Sequence, residues 1–245
     1  LNSLYGVLGL PVFRFYDVDN AEATTVTGQE LIKYTQRMTN FFYNNELGDK
    51  KDHIIYTDTD SIFCTAVPLV KHRNPNADIE DDEYMTKEIL SITQEVQDFV
   101  NDSYDLFGKR FLNINEHRFD IKQEVIARSA FWVAKKRYGQ WIINDGGLEC
   151  DKLDVKGLDI VRSNFPPAMR DLMKEVLQGV LSKRNKDELD ELIVGFKKKM
   201  KTMPIGEVAL PTGVSRLSKF IDKRHSNKKI YGESGIFTDT QKGTP

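Results

Sequence analysis

An α+β fold is what this sequence predicts: an antiparallel sheet backed by helices and followed by a mainly helical region. Three observations lead there. Two long segments, residues 19–47 and 84–106, carry apolar side chains at helical spacing. Residues 53–64 and 119–145 have the short apolar runs and intervening turn residues of strands. Beyond residue 155 the helical pattern returns, over 168–183 and 186–202. With 40% apolar residues in a chain of 245, one large domain or two small ones can build a core.

Asp19 or Asn20 can cap the first helix, Val26, Leu31, Ile32, Met38, Phe41 and Phe42 supply its apolar face, and Gly48 stops it. A β-hairpin follows, with His53-Ile54-Ile55-Tyr56 and Ile62-Phe63-Cys64 as its apolar arms. After an acidic loop at 78–83, the second helix shows Ile89, Ile92, Val96, Phe99 and Val100 on one face. Both helices are expected to pack a core rather than carry chemistry. Strands then resume from Phe119, with a turn at Asn144-Asp145-Gly146-Gly147, and these strands are expected to join the hairpin in one antiparallel sheet. Phe165-Pro166-Pro167 breaks the chain before the last two helices, and a Gly- and Lys-rich tail closes it.

Composition narrows the function. No apolar run approaches a membrane span and no secretory signal is visible, so a soluble, cytoplasmic protein is expected. Cys64 and Cys150 lack metal-ligand spacing, and the four histidines form no cluster, so all six are read as packing residues. The net charge of −2 hides an asymmetry: residues 1–150 hold 16 Lys and Arg against 24 Asp and Glu, whereas residues 151–245 hold 19 against 13. The second part, at +6, suits the tracking of phosphates, although Lys197-Lys198-Lys199 and Lys201 serve equally well as a solvated helix face.

The chemistry concentrates in Tyr56-Thr57-Asp58-Thr59-Asp60-Ser61, where two carboxylates interrupt a hairpin. An i, i+2 spacing lets both project from one face of an extended segment, offering oxygen ligands to a hard cation with positions left for phosphate. Magnesium-dependent phosphoryl chemistry fits. So does a sugar transferase with a nucleotide donor, and Asp and Thr are also ordinary turn residues.

Asn2-Ser3-Leu4-Tyr5-Gly6 before the hairpin and Lys135-Lys136-Arg137-Tyr138 after it decide between these. In this order, the three strings resemble the motifs of family B DNA polymerases: the end of the fingers helix, the catalytic palm motif and the element that holds the primer end. Asp120-Ile121-Lys122-Gln123-Glu124-Val125-Ile126 is similar to a further acid-bearing strand, particularly in replicative polymerases of tailed bacteriophages. The resemblance implies a palm over residues 1–155, with 1–10 ending the fingers helix, and a thumb over 156–245. It implies two Mg2+ ions in the complete site, with Asp60 bridging them, Asp58 beside it and Glu124 as a more distant acid. Asn2 and Tyr5 would line the nucleotide pocket. Lys136 would reach the minor-groove edge of the primer end, while Lys135, Arg137 and Tyr138 position the DNA backbone.

Implied partners are primer-template DNA, deoxynucleoside triphosphates and an N-terminal polymerase part with exonuclease, fingers and the rest of the palm; a sliding clamp is a further candidate. The family's other metal-binding Asp and its triphosphate-binding Lys would lie ahead of Asn2. The expectation is therefore a C-terminal portion, as a fragment or as one subunit of a split enzyme, inactive alone and cytoplasmic in a bacterial host if viral. A non-catalytic DNA-binding replication subunit is the alternative, with the sugar transferase behind it for want of a nucleotide-binding α/β domain.

Overall fold

Helix α1 (Val18–Leu47) begins at Asp17, whose carboxylate accepts the Asn20 N–H at 3.0 Å, and ends at Gly48, left-handed at φ 68°. The cap sits two residues ahead of the sequence expectation. Residues 6–211 are described by this computed structural model, so Asn2 and Tyr5 lie outside the described residues, as does the tail. Strands β1 (Ile54–Asp58) and β2 (Ser61–Cys64) form the expected hairpin. A short helix α2 (Val67–Arg73), absent from the sequence reading, precedes α3 (Asp82–Phe107), which starts at the Asp81 cap. One π-turn, Gly108–Leu112, extends α3. Strands β3 (Val125–Ala134), β4 (Arg137–Asp145) and β5 (Leu148–Lys156) follow, and then helices α4 (Pro167–Leu181), α5 (Lys186–Met200) and α6 (Ile205–Val208). The fold is α+β, as predicted.

The chain divides into two compact units. The first comprises the described residues within Leu1–Arg128 and Ile142–Lys152. Its core lies between α1 and α3: Tyr43, Leu69, Val70, Met85 and Ile92 form one buried cluster, and Tyr34, Val100, Tyr104 and Phe107 form another. On α3 the predicted face is the observed one. On α1 the face is rotated, because Val26 and Phe41 are 49% and 50% exposed while Tyr34, Thr35, Thr39 and Tyr43 are buried. Polar atoms explain that turn. The Thr35 hydroxyl lies 2.7 Å from the Tyr104 hydroxyl, and the Tyr34 hydroxyl donates to the Ser103 carbonyl at 3.0 Å, so these helices meet through paired hydroxyls as well as rings, with the buried Thr39 hydroxyl left unpaired among the described residues.

Residues 119–124 do not continue a strand. Their backbone is held by a polar ladder on α3: the Asn101 amide accepts from the Ile121 N–H at 2.8 Å and donates to the Ile121 carbonyl at 3.0 Å, and Gln97 accepts from the Gln123 N–H at 2.9 Å. One side-chain amide thus replaces a neighbouring strand. Partly for this reason the single expected sheet is two: β1–β2 stands alone, and β3, β4 and β5 form a second antiparallel sheet in sequence order. No helix among the described residues is long and apolar enough to cross a membrane.

The second unit comprises the described residues within Ser129–Trp141 and from Leu153 onward. Here α4 packs on β4 through Gly139, where an added Cβ would lie 2.9 Å from a Leu177 methyl. The Ser129 hydroxyl on β3 donates to the Leu181 carbonyl at 2.8 Å, satisfying one carbonyl at the open end of α4.

Arg73 on α2 joins α1 and α3. Its guanidinium pairs with Glu46 of α1 at 2.6 Å and 2.9 Å, and with Glu95 of α3 at 2.7 Å and 2.9 Å. The Arg73 hydrogen bond holds the Glu46 carboxyl below its ordinary range. A depressed carboxyl contributes stability that is fully present above its unfolded pKa, about 4.3, and that is lost as pH falls through the lower folded value. Arg73→Met should therefore cost about 2 kcal/mol at pH 7, and the gap between variant and parent in denaturant melts should close as pH falls below the ordinary Glu range. A gap that is constant with pH would show that the pair contributes only packing.

Candidate active site

The hairpin is aimed by a second polar ladder, on α1. Gln36, Asn40 and Asn44 recur at i, i+4 and i+8, so they share one face of the helix. Gln36 donates to the Thr57 hydroxyl on β1. Asn40 accepts from the His53 N–H at 2.8 Å and donates to Asp52 at 2.9 Å. Asn44 accepts from the Lys51 N–H at 3.1 Å and lies 3.2 Å from His53 Nε2. Because Asp49 is the other neighbour of that nitrogen, at 3.1 Å, both partners are acceptors and Nε2 carries the proton. His53 is thus the packing residue expected, with its ring against Tyr43. The His53 hydrogen bond lowers the Asp49 pKa, and that from Asn40 lowers the Asp52 pKa.

The strand pair that this ladder supports runs Tyr56↔Phe63, Thr57↔Ile62 and Asp58↔Ser61, with a bulge between Ile54 and Tyr56. Burial pushes the Cys64 thiol up, and burial pushes the Tyr43 phenol up, where Tyr43 donates to the sulfur at 3.6 Å. Neither group is ionised near neutrality. Their contact is packing between α1 and β2.

Thr59 and Asp60 form the two-residue tip. Thr59 has φ 54°, a left-handed conformation that a β-branched residue rarely adopts and that costs of order 1–3 kcal/mol. The tip is tied from within. Asp60 N–H donates to the Asp58 carbonyl at 2.6 Å, the Thr59 hydroxyl to the Asp58 carboxylate at 3.0 Å, and the Ser61 hydroxyl to the Asp58 carbonyl at 3.1 Å. The Tyr56 hydroxyl reaches the other Asp58 oxygen at 3.5 Å. Asp58 is therefore half-buried and oriented, whereas Asp60 is exposed at the end of the turn.

Glu124 stands one residue before β3, not on a strand, and β3 belongs to the other sheet. Its carbonyl accepts the Gly146 N–H at 2.7 Å. The expected common sheet for Asp58, Asp60 and Glu124 is corrected here: the α3 ladder takes the hydrogen bonds that a neighbouring strand would need. Among the described residues no three His, Cys, Asp or Glu side chains are grouped to hold a metal ion. Asp58 and Asp60, with the Thr59 and Ser61 hydroxyls beside them, nonetheless form an all-oxygen donor set suited to a hard cation, which binds through one or two carboxylates and completes its shell from water or phosphate.

The basic string occupies a different hairpin, in the second unit. Lys135 and Lys136 form the two-residue turn between β3 and β4, with Lys136 at φ 59°. Lys135, Lys136 and Arg137 are exposed, and Tyr138 is buried against Trp132. Sequence reasoning missed the residues that aim these turns. The amides of α1 had a legible signal in their fourfold spacing.

The class defined here is an α+β protein that carries two carboxylates, one half-buried and oriented and one exposed, at a strained hairpin tip. The sequence matches the model of DNA polymerase family B over residues 1–233, and the chain belongs to that family. It is similar to the DNA-directed DNA polymerase of Escherichia phage RB69, at 28% identity over 192 residues, which is 74% of this chain and 21% of that protein. Enterobacteria phage T4 DNA-directed DNA polymerase is 26% identical over 249 aligned positions, 91% of this chain and 26% of its own length. The DNA polymerase alpha catalytic subunit of Mus musculus is 27% identical over 194 residues, 78% of this chain and 11% of that protein. The chain thus spans roughly a quarter or less of the length of these curated relatives. Family membership leaves the sugar-transferase reading without support.

Asn40→Ala should destabilise the first unit by about 1–3 kcal/mol, since it strands the N–H of the buried His53, whereas the exposed Asp52 oxygen keeps the Ile54 N–H. Thr59→Gly should instead stabilise it, by up to about 1 kcal/mol, by releasing the left-handed strain. Chemical denaturation of both variants checks the pair. Destabilisation by Thr59→Gly would mean that its hydroxyl bond to Asp58 outweighs the strain.

Proposed function

We propose that this chain is the palm and thumb portion of a DNA-templated DNA polymerase, adding deoxynucleotides to a primer 3′ end by two-metal phosphoryl transfer. The observation that carries the reading is the pair Asp58 and Asp60 at a tip whose backbone is strained and internally tied, in a chain of family B. Strain of this kind persists where the surrounding structure holds it and where geometry serves a function. In this reading residues 1–155 are palm and 156–245 thumb.

Asp60, exposed at the tip, and Asp58, held by Tyr56 and Thr59, would hold the Mg2+ ions, with Glu124 as a more distant acid. When bound, the ions supply Lewis-acid activation of the primer hydroxyl and neutralise charge developing on the triphosphate. The oriented half-buried carboxylate and the open one divide the work: Asp58 fixes where the site is, and Asp60 meets the reacting groups. Lys136 reaches the minor-groove edge at the primer end, where acceptors are alike for every base pair, so it tests shape without reading sequence. Lys135 and Arg137 take backbone phosphates. Tyr138, buried against Trp132, anchors the start of β4 beneath those contacts. Asn2 and Tyr5 line the nucleotide pocket. The partners are primer-template DNA, deoxynucleoside triphosphates and an N-terminal polymerase part carrying the remaining metal and triphosphate ligands, and a sliding clamp is a further one.

Primer extension with Mg2+, by this chain supplied with that N-terminal part, tests the proposal. Asp60→Ala should lower the rate at least about a hundredfold while leaving thermal unfolding in place. Undiminished extension by Asp60→Ala would overturn the assignment. Duplex binding, measured over a salt series, should weaken steeply with salt through the +6 surplus of residues 151–245. Lys136→Ala should impair extension far more than binding, and equal losses would place Lys136 on the backbone only.

A further inference from the structure

We infer that the strap of residues 157–162 is a positioning element for the basic turn, with Gly157 as its fulcrum and Asp159 as its tie; the inference rests on the polymerase reading for its consequence, not for its geometry. Gly157 follows β5 directly and adopts φ 64°. A Cβ added there would overlap the Lys136 carbonyl oxygen and lie 3.2 Å from the carbonyl carbon and 3.3 Å from Arg137 Cγ. Two of those neighbours are backbone atoms, so no rotamer change relieves the clash. The turn at Lys135-Lys136 and the chain leaving β5 therefore meet backbone to backbone, and only glycine allows it on both counts, space and dihedral.

The second contact is electrostatic. Asp159 opens the 3-10 turn Asp159–Val161, and its carboxylate lies 3.9 Å from the Arg137 guanidinium and 3.1 Å from that of Arg162. One carboxylate thus ties the residue after the turn to the far end of the strap. Arg137 is drawn towards the strap, while Lys135 and Lys136 remain exposed on the turn. Lys136 itself has φ 59°, so the direction of its peptide is the quantity that the strap controls, and with it the line along which its side chain leaves the turn.

In the polymerase reading, this line decides whether the Lys136 ammonium meets the primer end. Gly157 and Asp159 touch neither substrate nor metal in this account; they act through Lys136 and Arg137. A displacement of the turn by an ångström or so is the size of error that can cost up to about a hundredfold in rate.

Gly157→Ala, Asp159→Asn, Lys136→Ala and the double variant Gly157→Ala/Lys136→Ala test this, each with two readouts. The first is independent of activity: amide NMR shifts of Lys135, Lys136 and Arg137 in the chain itself should move in Gly157→Ala and in Asp159→Asn, while shifts of the first unit's core stay in place. The second is primer extension by the assembled polymerase. Gly157→Ala should slow extension by roughly ten- to a hundredfold with the KM for nucleotide unchanged, and the double variant should lose less than the product of the two single losses. Asp159→Asn should give a smaller loss in the same direction, and it introduces no steric clash, so it decides the matter if Gly157→Ala does not fold. Unmoved turn amides in Asp159→Asn, or losses that multiply in the double variant, would overturn the inference. If the parent extends no primer while the turn amides move as expected, the polymerase reading fails and the positioning stands.

Discussion

The acidic site depends on three side-chain amides of α1 that hold the chain entering a two-stranded sheet and one hydroxyl on its first strand. A lone hairpin is marginal in water, because it buries little and leaves its outer strand unpaired. Gln36, Asn40 and Asn44 anchor it at fixed register: Asn44 and Asn40 hold the Lys51 and His53 N–H groups just ahead of β1, and Gln36 holds the Thr57 hydroxyl on it. Slipping the hairpin by one residue would strand all three at once and turn Asp58 to the other face. The position of the carboxylates is thus a consequence of helix periodicity transmitted through hydrogen bonds.

The same device recurs on α3, where Gln97, Asn101 and Asp105 hold the extended run 117–123. Two long helices therefore each present an apolar stripe to one another and a polar ladder to an extended segment. This division explains why α1 turns Val26 and Phe41 to solvent: the neighbouring face is committed to hydrogen bonds whose loss would leave buried polar groups unsatisfied. Arg73, shared between Glu46 and Glu95, then ties the end of α1 and the middle of α3 to α2.

Local strain has an address in each of the two motif-bearing turns. Thr59 sits between the two acids and Lys136 within the basic turn, both left-handed without being glycine. Each is over-determined by its surroundings, Thr59 by the bonds within the tip and Lys136 by the approach of Gly157. Asp60 in the acidic turn and Lys135 and Lys136 in the basic one are exposed, Asp58 is half-buried, and the tyrosine nearby, Tyr56 or Tyr138, is at least partly buried. The division suits chemistry: rigid support below, charge at the surface.

Sequence alone determined what local rules control. The α+β class, the two long helices, the hairpin with Asp58 and Asp60 at its end, and the Gly146-Gly147 turn all follow from periodicity, cap residues and turn residues read within a few positions of one another. The family was legible because three short strings kept their order. Tertiary structure decided the rest. Which face of α1 is buried depended on hydroxyls paired across to α3, which hydrophobicity does not encode. That residues 119–124 form no strand, so that Glu124 falls outside any sheet, depended on side-chain amides arriving from a helix some 20 residues away in sequence. The need for glycine at 157 depended on a carbonyl 21 positions earlier in the chain. Each is a contact between distant segments, and hydrogen-bond and steric complementarity of that kind leaves no local pattern to read.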